Sequence, residues 1–484
     1  MELKKSKRLL LGLAAAYWLA AVLIYLIAGE RFRFSPAMSD TLSPSNTLGE
    51  IVDGMEIHQR LIAPADSLDS VQLMFGTYGR ANAGAMRFAL QDEAGETVAQ
   101  ARLDVSTVAT DNYVSVPFDA PAEVQKGDAL TLVITSEGCE SGSTVTLYSG
   151  TTVTTGRFDL VQDIADEDCY TVNGERGAGK LCVKLEGIQE LAFYRIYFVI
   201  VALAFAAAAA VCLRWWRQAK RGENNPLVAV CTLFTRYGFL LRQLVSRDFK
   251  TKYKRSILGM FWSFLNPLLT MSVQYVVFST LFRSDIANFP VYLLCGIVFF
   301  NFFSEAVSMG MTSIVGNASL IKKVYMPKYV YPVSRIISSL VNFSLALIPL
   351  LLVSLATGLP LRPSFLLLLF DIACLLGFVT GMALLLTTAM TFFQDTQFLW
   401  SVVSMMWTYL TPIFYPETII PAKLLVFYHM NPMYQYITFA RICIIDGASP
   451  APTAYLWCIV SSAVVLLLGV ITFKRQQDKF MLYL

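Results

Sequence analysis

Long apolar runs, nearly free of charge, recur along this 484-residue chain and decide what it can fold into. Water cannot solvate such runs; a bilayer can, provided every backbone amide pairs within a helix. The first runs from Leu9 to Ala28 behind Lys4, Lys5, Lys7 and Arg8. Its length of about twenty residues exceeds the roughly 7–15 of a cleaved signal peptide, so it is read as a retained anchor. A polar segment of about 160 residues follows, and then a second run from Leu191 to about Leu213, ended by Arg214, Arg217, Lys220 and Arg221. Positive clusters at both outer flanks place both flanks in the cytoplasm and the polar segment outside.

Six further runs lie near 259–282, 290–312, 333–357, 364–392, 397–411 and 453–473. Lys322, Lys323, Lys328 and Arg335 fall between the second and third of these, and Lys474, Arg475 and Lys479 follow the last. Alternation from a cytoplasmic start puts both basic segments inside. The expected fold is therefore an all-α polytopic membrane protein with about eight transmembrane helices, both termini cytoplasmic, and an inserted all-β domain outside. Only 15% of the residues are charged, where a soluble domain carries about a quarter.

The outside segment alternates as a half-buried strand does: Met86, Phe88 and Leu90 against Arg87, Ala89 and Gln91, then Leu130, Leu132 and Ile134. Turns such as Ala94-Gly95-Glu96 separate short strands, which suggests a sandwich, jelly-roll-like domain. Four divisions are expected: an anchor over 1–29, an extracytoplasmic β domain over 30–190, a second span with a basic linker over 191–225, and the main membrane domain over 226–484. That domain begins with Val230, Leu233, Phe234, Tyr237, Leu240, Leu241 and Leu244 on one helix face and Arg236, Arg242 and Arg247 on the rest, a helix lying in the cytoplasmic interface. Thr411 to Pro450, broken by Pro412, Pro416, Pro421 and Pro432, reads as a re-entrant pair of short helices.

Several chemistries find little support. Only two histidines occur, His58 and His429, and none of the nine cysteines forms a C-x-x-C pair, so no metal site is expected. Cys169–Cys182 is the expected bridge among the three cysteines of the polar segment. Gly174 to Lys180 has the spacing of a phosphate loop, but Leu181 stands where the Ser or Thr should be, and no helix pattern follows. No nucleophile–base set emerges, so the chain is not expected to be an enzyme, nor to bind nucleic acid.

From about 226 to 484 the sequence resembles the ABC-2 type permeases of polysaccharide exporters, the family that moves O-antigens and teichoic acids. The resemblance is carried by Arg247-Asp248-Phe-Lys250-Thr-Lys-Tyr253, Ser256 to Trp262, Asn266-Pro267, Gly296 and Asn317. Leu320 to Val324, Met326-Pro327, Pro332, Gln394-Asp395, Thr411 to Pro416, Asn431-Pro432 and Arg441 continue it. Gln394 departs from the Arg that often precedes this Asp in the family, and the first two spans with their domain are an addition. The resemblance implies a homodimer in the bacterial cytoplasmic membrane, whose channel passes a lipid-linked polysaccharide. A separate cytosolic ATPase subunit, holding ATP and magnesium, would drive it, and this chain would bind no cofactor. Arg247, Asp248, Lys250, Lys322, Lys323, Met326 and Pro327 would sit over that subunit, and Pro412, Phe414, Tyr415 and Pro416 would build the outer gate.

Flat aromatic rings suit a sliding sugar chain. Trp262, Phe299, Phe300, Phe303, Trp400, Trp407 and Tyr409 are thus the candidate channel lining, with lipid contact or an interfacial belt as the alternative. Glu305 and Asp371 interrupt apolar runs and are expected to face a wet cavity, a partner or a nearby membrane edge. In the β domain Tyr78, Arg80, Tyr113 and Tyr148 are candidate glycan contacts, or ordinary strand residues. A permease for a drug or small lipid, or a membrane-anchored receptor, remains the alternative.

Overall fold

The apolar runs do close their backbones within helices, as a computed structural model of the chain shows. It describes residues 2–39, 41–42, 44–108, 113–154, 161–163, 168–221, 237–252, 254, 256–282, 288–323, 326–417, 420 and 422–483. The expected start of the interfacial helix (Val230, Leu233, Phe234, Arg236) lies outside these residues, as do Tyr253, Val324 and Pro421. The chain divides into two units, residues 1–32 with 193–484, and residues 33–192.

In the helical unit, α1 (Glu2–Arg33) and α2 (Phe193–Lys220) lie side by side. Tyr17 Oη donates to Val201 O and Tyr197 Oη to Ala21 O, each at 2.9 Å, while most other side chains of the pair stay exposed. Next come α3 (Gly238–Lys252), α4 (Phe261–Phe282), α5 (Phe289–Met311), the short α6 (Ala318–Lys323) and α7 (Val330–Ala356). The chain continues through α8 (Leu368–Phe392), α9 (Thr396–Tyr409), α10 (Ala422–Met430), α11 (Pro432–Arg441) and α12 (Pro452–Gln476). α5 is apolar over most of its surface and accordingly largely buried, with Leu293, Leu294, Phe299, Phe303 and Val307 all inaccessible.

Among the described residues six helices are long and apolar enough to cross a bilayer: Leu10–Arg33, Phe193–Gln218, Phe289–Met311, Val330–Ala356, Pro363–Phe392 and Pro452–Tyr483. The two other expected spans differ for visible reasons. α4 carries Asn266, Pro267 and Gln274. α9 has 14 residues, about 21 Å of helix against a hydrocarbon core of about 30 Å. The broken stretch after it holds two short helices, α10 and α11, the second begun by Pro432 and capped by Asn431 Oδ1, which accepts from Met433 N at 3.1 Å.

The closest helix contact joins α8 to α12. A methyl group on Gly381 would overlap the Val465 carbonyl, and one on Gly469 would overlap the Gly381 carbonyl. Small residues at this crossing let two backbones touch, the usual route to tight packing without a hydrophobic drive.

The second unit is antiparallel β-structure. One sheet joins β1 (Phe34–Met38), β3 (Ser67–Gly76), β6 (Tyr113–Glu123), β8 (Thr146–Gly150) and β9 (Val183–Glu190); the other joins β2 (Glu56–Ile62), β4 (Ala85–Gln91), β5 (Thr97–Asp104) and β7 (Ala129–Glu137). Short strands extend both. Their inward side chains form one core: Val71, Leu73, Phe75 and Leu185 from the first sheet, Met86, Phe88, Leu90, Leu132 and Ile134 from the second. The alternation read from sequence is met over Met86 to Gln91, whereas between Leu132 and Ile134 the intervening Val133 is buried as well. Asp92 Oδ1 accepts from the amides of Ala94 and Glu96, closing the expected turn, where Gly95 adopts φ +82°.

One expectation fails here. Cys182 is a buried free thiol, so the Cys169–Cys182 bridge is not made. The Gly174–Lys180 stretch holds the turn and second strand of a hairpin, Glu175–Arg176 paired with Thr171–Val172, and Lys180 Nζ pairs with Asp168 at 2.8 Å. That is not the strand–loop–helix a phosphate loop requires.

Candidate functional site

A cleft of 610 Å³ opens among α3, α5, α7 and the turn before α6, lined by Arg247, Asp248, Lys252, Glu305, Asn317, Arg335 and Asn342 among others. Leu241 and Leu244 seat α3 against Val330 of α7, which turns Asp248 inward until its side chain is 5% exposed. Arg335 Nη1 reaches Asp248 Oδ2 at 3.0 Å and Arg247 Nη2 reaches Oδ1 at 3.2 Å. Arg247 also donates to Asn317 Oδ1 at 3.4 Å. On the other wall Lys252 Nζ meets Glu305 Oε1 at 2.7 Å, and Asn342 Nδ2 donates to the same oxygen at 3.1 Å. Three cations contact two carboxylates along the cleft, and the one buried charge among them, Asp248, has opposite partners in Arg335 and Arg247. Glu305 lines this cleft.

Arg247 and Asp248 were expected beside a cytosolic partner, yet both take part in this internal network. Lys250, Lys322 and Lys323 are exposed. Met326 packs against a small core cluster that includes Ile314, Tyr331 and Phe480, and the Pro327 carbonyl accepts from Val330 N at 3.1 Å.

The candidate channel aromatics separate into two groups. Phe299, Phe300, Phe303 and Trp400 are buried inside the bundle; Phe303 packs edge-on to Trp400 and Trp407, and Phe299 edge-on to Phe343. Within one copy of the chain these rings are core. Trp407, half-buried, donates from Nε1 to Asn431 Oδ1 at 2.8 Å. Trp262 and Tyr409 stand open, 44% and 65% exposed. Asp371 is fully buried, its Oδ1 4.0 Å from Cys458 Sγ, and lines neither of the protein's two described clefts.

Arg441, at the end of α11, organises the Pro412–Pro416 elbow and was not among the expected site residues. Its guanidinium donates to Pro412 O at 2.8 Å, Ile413 O at 3.1 Å and Tyr292 O at 3.2 Å, and it lies 3.4 Å from the Tyr292 ring centroid. Tyr292 Oη in turn donates to Tyr415 O at 2.9 Å. Gly296 leaves the room: a methyl there would come within 3.0 Å of Arg441 Nη2. Asn431 Nδ2 donates to Thr411 Oγ1 at 2.9 Å. Phe414 stacks on Phe278 at 5.4 Å, and Tyr415 Oη donates to Tyr409 O at 2.7 Å. Pro416, half-buried, ends the elbow. The signal in the sequence was a lone arginine in the apolar string Tyr436 to Ile445.

In the β unit the four candidate contacts do not form one site. Tyr78, half exposed at φ +56°, lies beside the Arg80 guanidinium, 5.0 Å from ring centroid to carbon. Tyr113 instead lies under Lys184 Nζ at 3.9 Å, and Tyr148 packs against Gly76. Arg80 hydrogen-bonds Glu50, which also accepts from Ser141 Oγ and the Gly142 amide. The Arg80 contact first, then those of Ser141 and Gly142, pull the Glu50 carboxyl down to about 2. A carboxyl lowered on folding lends stability above its unfolded value, and this is lost as pH falls towards the folded one. The Gly142 amide is therefore expected to stay protected from hydrogen exchange at pH 5 and to lose protection between about 4.5 and 2, whereas Glu50→Gln abolishes that dependence.

Residues 239–445 match the family described as ABC-2 type transporter. The O-antigen export system permease protein RfbA of Myxococcus xanthus is 30% identical over 249 residues, 50% of this chain and 95% of the relative. The protein of the same name from Klebsiella pneumoniae is 30% identical over 211 residues, 43% of this chain and 81% of the relative. Among solved structures, the infectious bursal disease virus VP2 subviral particle aligns with 33% of this chain at 16% identity and a TM-score of 0.16, too low to bear on the fold.

Proposed function

The chain belongs to the ABC-2 type transporter family, and we propose that it is the membrane subunit of an exporter that moves a lipid-linked cell-surface polysaccharide of the O-antigen or teichoic-acid kind. The observation that carries this is the 30% identity running through 95% of an O-antigen export permease. Energy comes from a separate cytosolic ATPase, with ATP and magnesium on that subunit. Two copies of this chain enclose the path in the bacterial cytoplasmic membrane, with both termini inside. α4 also crosses, and α9 with the Thr411–Pro416 elbow completes a crossing, giving eight. The β unit lies outside as a jelly-roll-like module that handles the emerging glycan.

The exposed Lys250, Lys322 and Lys323 offer the ATPase a basic docking face. Its movement reaches the spans through ion pairs: Asp248 ties α3 to Arg335 of α7, and Lys252 ties it to Glu305 of α5. A docked helix riveted in this way hands rigid-body motion to the bundle.

Replacing Lys322 and Lys323 together with Glu is expected to abolish co-purification of the ATPase subunit and surface display of glycan. Unchanged association and export would remove the docking assignment. Stimulation of ATP hydrolysis in the purified complex by small amphiphiles, and not by lipid-linked glycan, would overturn the substrate class.

A further inference from the structure

A second cleft, of 400 Å³, runs between α5 and α9 and carries no charged side chain. Ser304, Ser308 and Thr312 recur at intervals of four on α5, and Ser401, Ser404 and Thr408 at three and four on α9, so each helix turns one row of hydroxyls into the cleft. The rows meet: Ser304 Oγ and Ser404 Oγ are 3.0 Å apart, and Trp400 Nε1 donates to Ser308 Oγ at 3.0 Å. From Gln397 at the mouth to Thr408 the α9 row rises about 16 Å, half the hydrocarbon thickness.

Most of these hydroxyl protons are already used. Thr312 Oγ1 donates to Ser308 O, Ser401 Oγ to Phe398 O and Thr408 Oγ1 to Ser404 O. These three keep lone pairs with which to accept, while Ser308 and one of the Ser304–Ser404 pair also keep a proton to donate. The outer side of α9 is different, with Phe398, Leu399, Val402, Val403 and Met406 exposed. Lipid tails suit that side and make nothing of a row of acceptors. The half-open state of the rows also matters, since side chains holding two helices together would be covered.

We infer that this cleft is the track of the glycan through the inner half of the protein. A neutral polyhydroxyl chain supplies hydroxyl donors along its length, and the rows supply acceptors at helical spacing. Each bond is replaced by the next as the chain slides, and no fixed charge holds a sugar in place. The buried rings, Phe303 and Trp400 among them, stand behind the track and set its shape. This inference rests on the polysaccharide-export reading and says where in the chain the substrate travels.

The test uses the whole chain with its ATPase subunit in cells that make the glycan. Ser401→Trp and Thr408→Trp fill the cleft, and each is expected to lower surface glycan at least tenfold while the ATPase subunit still co-purifies. Val402→Trp, on the outer side of α9, is expected to export normally. To set folding aside, Ser401→Cys is assembled first and then labelled with a bulky maleimide; the label alone is expected to stop export. Normal export from the labelled protein overturns the track. So does a disulfide joining Ser401→Cys of two copies in complexes that export fully, because the cleft would then be a subunit contact. Absence of glycan export by the unaltered chain would instead sink the function on which the track depends.

Discussion

Arg441→Met is expected to destabilise the folded protein by about 3 kcal/mol and to cut surface glycan at least tenfold. Arg441 is buried, and its guanidinium satisfies carbonyls of Pro412, Ile413 and Tyr292. Methionine fills a similar volume but donates nothing, leaving three buried acceptors without their donor, each at about 1–3 kcal/mol. Measured hydrogen bonds within membrane bundles average nearer 0.6 kcal/mol, so the sum belongs at the low end. Lysine keeps the charge and loses the fork, which reaches several carbonyls at once. Arg441→Lys should therefore fall between native and Met in thermal unfolding of the detergent-purified chain. Equal unfolding midpoints for all three would mean that the elbow stands without this brace.

Gly381→Val should be the most damaging single change in the bundle. The Val465 carbonyl occupies the space a Cβ at 381 needs, and the Gly381 carbonyl in turn fills the space at Gly469. A backbone cannot swing aside as a flexible side chain can. Overpacking costs about 1–3 kcal/mol in ordinary cores, and here α8 and α12 must separate along their contact, so the upper end or more is expected. The readout is the yield of folded, monodisperse protein together with hydrogen exchange along α12. Gly12→Ala on α1, with nothing within 4 Å, serves as the comparison and should be silent or slightly stabilising. Native yield and exchange in Gly381→Val would show that the two helices have room to spare.

What the sequence revealed, and what it hid, follows the range of each interaction. Met86, Phe88 and Leu90 point into the sandwich because a strand alternates faces, a property of neighbours alone. The long helices follow from apolar length in the same way. α9, expected over 397–411, runs from Thr396 to Tyr409 and stops before Thr411-Pro412, a boundary that proline marks locally. Phe299 and Phe303 could not be sorted into lining or core from sequence. Apolar residues cover most of the turn of α5, so periodicity gives its phenylalanines little direction. Asp248 was taken for a cytosolic contact because nothing in its own string announces Arg335. Arg441 was hidden differently: its partners are carbonyls, which every residue has, so no pairing of side chains could reveal them.

The α1–α2 pair has one consequence of its own. Among the described residues it joins the remaining helices near one end, where Ala28, Phe32 and Tyr197 enter the core and Phe32 packs on Tyr455 at 5.6 Å. An attachment gathered at one end leaves most of the pair's length outside its host's packing. Such a hairpin can be grafted onto or shed from a machine of this kind in the course of descent, carrying its passenger module along, while the parts that do the hauling keep their shape.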